Sequence, residues 1–165
     1  MTPGATGTVH SINTSRGGVP KRPQPEAAVT ADGLAGDRQR NRRYHGGPLR
    51  AVSLYSLERI RALQAEGHPA DVGTMGENLT IAGLDWDRVR TGVRLAVGPV
   101  VLEVTKDAPP CKTIAGSFRD GAFARASQKV RPGWSRFYAR VIREGVVRVG
   151  DVVALADVAP DDASS

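Results

Sequence analysis

Apolar and polar residues alternate in short runs along this chain, and Gly and Pro punctuate them. That pattern predicts half-buried strands. Arg94-Leu95-Ala96-Val97, then Gly98-Pro99, then residues 100–105 predict a β-hairpin. Residues 137–143, the Glu144-Gly145 turn and residues 146–149 predict a second. Gly150-Asp151 turns the chain into a last strand over 152–155. Residues 51–54 and 79–81 are further strand candidates, with weaker ones over 6–13 and 26–30. Helical spacing is clear once: Leu57, Ile60 and Leu63 form an apolar stripe. Ser56 can cap that helix, Glu58 sits in its first turn, and Gly67 follows its end. Two shorter helices are expected over 111–117 and 122–129, and a disordered tail over 159–165.

No internal repeat is present. Many short strands with few helices predict a mainly β protein, a closed or nearly closed barrel with a few short helices. Too little helix alternates with strand for a parallel doubly wound sheet. A length of 165 residues fits one domain, expected over 1–158. No apolar run nears the roughly 20 residues a membrane-crossing helix needs. A single cysteine and the lack of a signal-like N-terminus point to the cytoplasm.

Charge changes the picture through its distribution. Residues 16–50 hold eight Lys/Arg against three Asp/Glu, and residues 106–148 hold ten against three. These segments carry +5 and +7, and the remainder carries −6, within a total of +6. Brought together, they would make an anion site for a phosphate, a pterin phosphate or a nucleic acid. Left apart, they are a solvated basic surface.

Cys111 stands alone as a thiol, so it makes no internal disulfide and no four-thiolate zinc site. Thr105-Lys106-Asp107-Ala108-Pro109-Pro110 leads into it, and Lys106 and Lys112 would favour its thiolate if near in space. A buried filler or an incidental surface thiol remains open. Gly36-Asp37-Arg38-Gln39 leads towards His45-Gly46-Gly47-Pro48, where two glycines allow close backbone approach beside a histidine. The arginines nearby can hold phosphate or carboxylate bidentately. In Gly76-Glu77-Asn78-Leu79-Thr80, a carboxylate and an amide sit where a strand begins and could fix a polar ligand. Plain turns are the alternative for both motifs. His10 and His68 read as ordinary. The three histidines have no metal-ligand spacing, and no P-loop or dinucleotide loop is present.

In this order these motifs, with Gly92-Val93-Arg94-Leu95-Ala96-Val97-Gly98, Pro110-Cys111 and Gly150-Asp151, resemble a MOSC domain, the C-terminal domain of molybdenum-cofactor sulfurases. The resemblance covers about residues 7–155, nearest to standalone bacterial members. It implies a β-barrel that binds the molybdenum cofactor. It also implies that Cys111 ligates molybdenum in a reductase, or carries a persulfide in a sulfur carrier. Both roles suit a soft thiolate. His45 and Asn78 map onto the family's HGG and GEN motifs near metal or substrate. Asp37, Arg38, Gln39, Arg50 and Lys106 are the expected partners of the pterin and its phosphate, with Gly46, Gly47, Glu77 and Thr105 also lining the cofactor. Trp134, in Pro132-Gly133-Trp134, resembles an element that would wall the pocket.

One departure stands out. Relatives often carry an arginine in a Pro-Arg-x-Pro-Cys run, and here Ala108 holds that place. Lys106 or Lys112 could compensate as point charges. The implied activity is reduction of N-hydroxylated compounds such as hydroxylaminopurines. With no flavin or iron–sulfur motif in the chain, its electrons would come from a separate donor protein. A sulfur-carrying or cofactor-handling protein served by a cysteine desulfurase is the alternative. Specific nucleic-acid binding is not expected, since only 5% of residues are aromatic and no RNA-binding consensus occurs.

Overall fold

The computed structural model describes residues 4–16, 19–37, 48–109, 112–127 and 131–156. The strands are β1 (Thr6–Thr14), β2 (Arg22–Gln24), β3 (Glu26–Thr30), β4 (Gly33–Leu34), β5 (Val52–Ser56), β6 (Leu79–Ala82), β7 (Arg94–Val97), β8 (Val100–Ala108), β9 (Arg136–Arg143), β10 (Gly145–Arg148) and β11 (Val152–Ala156). Among the described residues one α-helix, α1 (Leu57–Ala65), lies between β5 and β6. Seven strands close a barrel in the order β1-β11-β7-β8-β9-β5-β6, and β6 returns to β1. Closure removes the exposed sheet edges that invite aggregation. β2 extends the sheet beyond β1, and β10, β3 and β4 form a small second sheet.

The β5–β6 pair is the parallel step in an otherwise antiparallel barrel. A parallel neighbour needs a crossover, and α1 supplies it. Ser56 caps the helix, its Oγ accepting from Arg59 N at 3.2 Å. The helix buries Leu57, Ile60 and Leu63. β5 is buried at all five positions, consistent with cover on both faces. β8, by contrast, keeps the simple alternation, with Val100, Leu102 and Val104 buried. No helix among the described residues is long and apolar enough to cross a membrane.

The first expected hairpin is present as β7–β8. The second is not. β10 leaves β9 and pairs with β3, setting Val147 opposite Ala27. The reason is the link: Glu144 alone separates the two strands, and common hairpin loops need two residues or more. Glu144 is used elsewhere, its carboxylate accepting from Ala31 N at 2.9 Å. The two expected short helices are 3-10 turns over Lys112–Ser117 and Phe123–Ala126, with a third turn over Arg119–Gly121 between them, and residues 128–129 lie outside the described residues. Tight bonds such as Gly121 N to Phe118 O at 3.1 Å hold them. The tail over 159–165 lies outside the described residues.

Gly73 marks a close backbone approach. Its φ is +82°, and its carbonyl accepts from Lys21 N at 3.0 Å. A Cβ there would be driven into the Lys21 carbonyl oxygen. Gly73→Ala should therefore lose about 2 kcal/mol or more of stability in urea denaturation. An unchanged midpoint and slope would refute this contact.

Candidate functional site

Two buried polar side chains enter β6 together. Glu77 and Asn78 are both fully buried. Asn78 Oδ1 accepts from Ser53 N at 3.0 Å and Ser53 Oγ at 3.1 Å. Its Nδ2 donates to Asn13 O at 3.2 Å and to Asp37 Oδ2 at 2.9 Å. All four hydrogen-bonding positions of this amide are thus taken by protein. Asn78 joins the end of β1, the start of β5 and the Gly36-Asp37 turn.

Asp37 sits at the centre of that junction. Its Oδ1 accepts from Lys21 Nζ at 2.7 Å and from Ser15 N at 2.9 Å. The Lys21 and Asp37 side chains are each 5% exposed. The sequence assigns Asp37 to the cofactor; the structure shows its carboxylate paired with a lysine and two further donors.

The network continues through β1 and β6. Asn13 Nδ2 donates to Glu77 O at 3.2 Å and to Thr80 Oγ1 at 3.1 Å. Thr80 Oγ1 donates to Glu77 Oε2 at 2.8 Å. Glu77 Oε1 has no partner among the described residues. Burial pushes the Glu77 carboxyl up to about 7, against the Thr80 hydrogen bond and the Arg136 charge. Glu77 therefore holds a proton near neutrality more readily than an exposed glutamate.

Arg136 reaches the other side of this cluster. It is the register partner of Ala108 across β8 and β9. Its Nη1 donates to Met75 O at 2.9 Å, and its Nη2 to Pro109 O at 3.1 Å. A guanidinium thus lies against the strand position where the resemblance expects an arginine and the sequence has alanine. It is 5% exposed, and its Nε has no partner among the described residues. The expected compensators differ: Lys106 lies on β8 opposite Tyr138, and the Lys112 side chain is outside the described set.

Thr105 ties β8 to the 3-10 turn Pro48–Arg50, its Oγ1 donating to Leu49 O. Arg50 packs over the Tyr138 ring, 5.6 Å from the centroid. Arg50, Thr105 and Lys106 are therefore brought together around Tyr138. The roots of both loops of interest are fixed. Asp37 and Pro48–Arg50 bracket the segment carrying Arg38, Gln39, His45, Gly46 and Gly47, and Pro109 precedes Cys111 by two residues. These six residues lie outside the described set.

The Trp134 ring lies between two guanidinium groups, Arg131 at 3.5 Å and Arg59 at 5.0 Å from its centroid. The basic stretch is also partly neutralised. Arg131 and Arg125 bind Glu66, whose carboxyl the Arg131 hydrogen bond holds down to about 2. Arg140 and Arg94 bind Glu103. Lys21, Asn13, Ser53 and Arg136 are the site-building residues that sequence patterns miss. Lys21 has a faint signal, a lone lysine just before a Pro-broken strand. Arg136 has none, because its partners are backbone carbonyls distant in sequence.

Residues 41–154 match the MOSC domain, and the chain belongs to that family. It is 32% identical over 135 residues to the uncharacterised protein YflK of Bacillus subtilis strain 168, spanning 81% of this chain and 60% of that protein. It is 29% identical over 114 residues to protein YiiM of Escherichia coli K12, spanning 66% of this chain and 51% of that protein. The chain thus covers less than two thirds of the length of these relatives. The crystal structure of YiiM from Geobacillus stearothermophilus superposes with a TM-score of 0.69 at 25% identity, covering 92% of this chain and 75% of that one. YiiM from Escherichia coli gives 0.70 at 23% identity, covering 93% and 71%, and shows the shared fold.

Two predictions follow from the buried charges. Lys21→Met leaves the Asp37 carboxylate buried and unpaired, and should cost about 3–5 kcal/mol in chemical denaturation. A loss below about 1 kcal/mol would contradict the pairing. Glu77 binds its proton more tightly folded than unfolded between pH 4.5 and about 7. Its contribution is therefore present at the acid end of that window and lost as pH rises through it. Glu77→Gln, always neutral, should show a flatter decline in Tm between about pH 5 and 7.5. Equal slopes in the two proteins would refute this.

Proposed function

We propose that this chain binds the molybdenum cofactor and reduces N-hydroxylated compounds, with Cys111 as the thiolate ligand of the metal. One observation carries the reading. A single buried network fixes the Asp37 root of the His45 loop and, through Met75 and Arg136, the Pro109 root of the Cys111 segment. Two chemistry-bearing loops with no sequence proximity thereby share one foundation.

The residues present fit the group. The soft donor is the one cysteine, two residues beyond a carbonyl held by a buried guanidinium. Arg136 is bonded to carbonyls and its buried Nε has no partner among the described residues, so its charge favours an anion nearby. Arg50 and Lys106 add cations for a pterin phosphate. When bound, the cofactor supplies two-electron oxygen-atom chemistry. The net reaction takes R–NHOH, two electrons and two protons to R–NH2 and water. His45 holds and delivers a proton, since an imidazole titrates near neutrality. Asn78 acts as a positioning residue, keeping Asp37 and Ser53 in place. The electrons come from a separate donor protein.

Molybdenum and pterin content, measured on protein from a cofactor-competent host beside Cys111→Ala, tests the reading. Near-stoichiometric metal in the wild type, falling about tenfold or more in the variant, is expected. Full metal retention in the variant overturns the ligand assignment. A metal-free wild type that takes a persulfide on Cys111 from a cysteine desulfurase overturns the reductase in favour of sulfur carriage.

A further inference from the structure

Beside the buried network lies an open cleft of about 450 Å³, lined by Thr14, Ser15, Arg16, Pro20, Arg22, Gln24 and Gly36. The strand register builds it. Thr14 pairs with Arg22, and Ile12 with Gln24, so the pleat sets Thr14, Arg22 and Gln24 on one face of the β1–β2 ribbon. Lys21, one residue earlier, points to the other side and meets Asp37. Arg16 extends the same face past the end of β1.

The cleft is electrostatically one-sided. Among the described residues, none that lines it is acidic. Asp37, next to Gly36, is buried and already neutralised by Lys21. The guanidinium groups of Arg16 and Arg22 have no hydrogen-bond or ion-pair partner among the described residues. This contrasts with Arg94, Arg125, Arg131 and Arg140, which are spent on carboxylates. Gly36 leaves open space, since a Cβ there would meet nothing within 4 Å. Two free planar forks in a concave site recognise a phosphate group. The volume falls in the range of roughly 300–1,000 Å³ typical of small-ligand sites.

We propose that Arg16 and Arg22 bind the phosphate of the substrate, which makes the substrate a nucleoside monophosphate bearing the N-hydroxylated base rather than the free base. The proposal rests on the reductase reading for the base, but the phosphate site stands on its own geometry. The two are separable by binding, with AMP and adenosine as probes in calorimetry on the purified protein.

Wild type should bind AMP about tenfold or more tightly than adenosine, with the preference weakening as salt rises. Arg16→Gln/Arg22→Gln should lose that preference and keep its Tm, because both arginines are exposed. Arg61→Gln/Arg90→Gln removes the same charge from exposed positions elsewhere and should keep it. No AMP preference in the wild type overturns the site. An equal loss in the Arg61/Arg90 control reduces it to net charge and also overturns it. If pterin content falls in the Arg16/Arg22 variant, the phosphate belongs to the cofactor and the substrate assignment is wrong. Preserved AMP preference in a protein with no reductase activity refutes the reductase reading and leaves the phosphate site standing.

Discussion

A carboxylate with almost no solvent contact must be neutralised and given hydrogen-bond donors, or the fold does not hold it. Asp37 meets that demand with Lys21, Ser15 N and Asn78 Nδ2. Each donor comes from a different part of the chain: the β1–β2 connection, the end of β1 and the start of β6. The geometry of these segments is therefore a consequence of one buried charge. Gly73, whose carbonyl receives Lys21 N, shows how closely the backbone must approach to deliver the lysine.

The same logic runs through the rest of the polar interior. Asn13, Thr80 and Glu77 continue the network, and Arg136 closes it against Met75, Ala108 and Pro109. Buried polar networks of this kind specify one arrangement, because every alternative strands a donor or an acceptor. In the proposed function, that rigidity positions two loops for one cofactor. The basic character of the chain then divides by use. Arg136 is buried structure, Arg125 and Arg131 grip Glu66, and Arg16 and Arg22 line the β1–β2 cleft with no partner among the described residues.

The barrel was legible in the sequence because strand alternation is local. Leu95, Val97, Val100, Leu102 and Val104 announce β7 and β8, and Ser56 with its apolar stripe announces α1. The small sheet was not legible, because a one-residue link at Glu144 looks like a hairpin turn until pairing partners are known. β2 is three exposed residues around Pro23 and offers no periodicity. The GEN motif marks two buried polar side chains at the start of β6, and the amide of Asn78 is spent on protein groups. Lys21 and Arg136 escaped because their partners, Asp37 and the carbonyls of Met75 and Pro109, are close only in the folded chain. The positions carrying the proposed chemistry, Cys111 and His45, rest on their motifs and on the fixed roots of their loops.

The most direct test of the Asp37 junction is a double-mutant cycle on stability, combining Lys21→Met with Asn78→Ala. Neither side chain bonds the other; both bond the Asp37 carboxylate. A shared hub predicts a coupling above about 1 kcal/mol, because the second loss falls on a carboxylate already stripped of support. Additivity within about 0.5 kcal/mol would contradict it and leave two unrelated buried contacts.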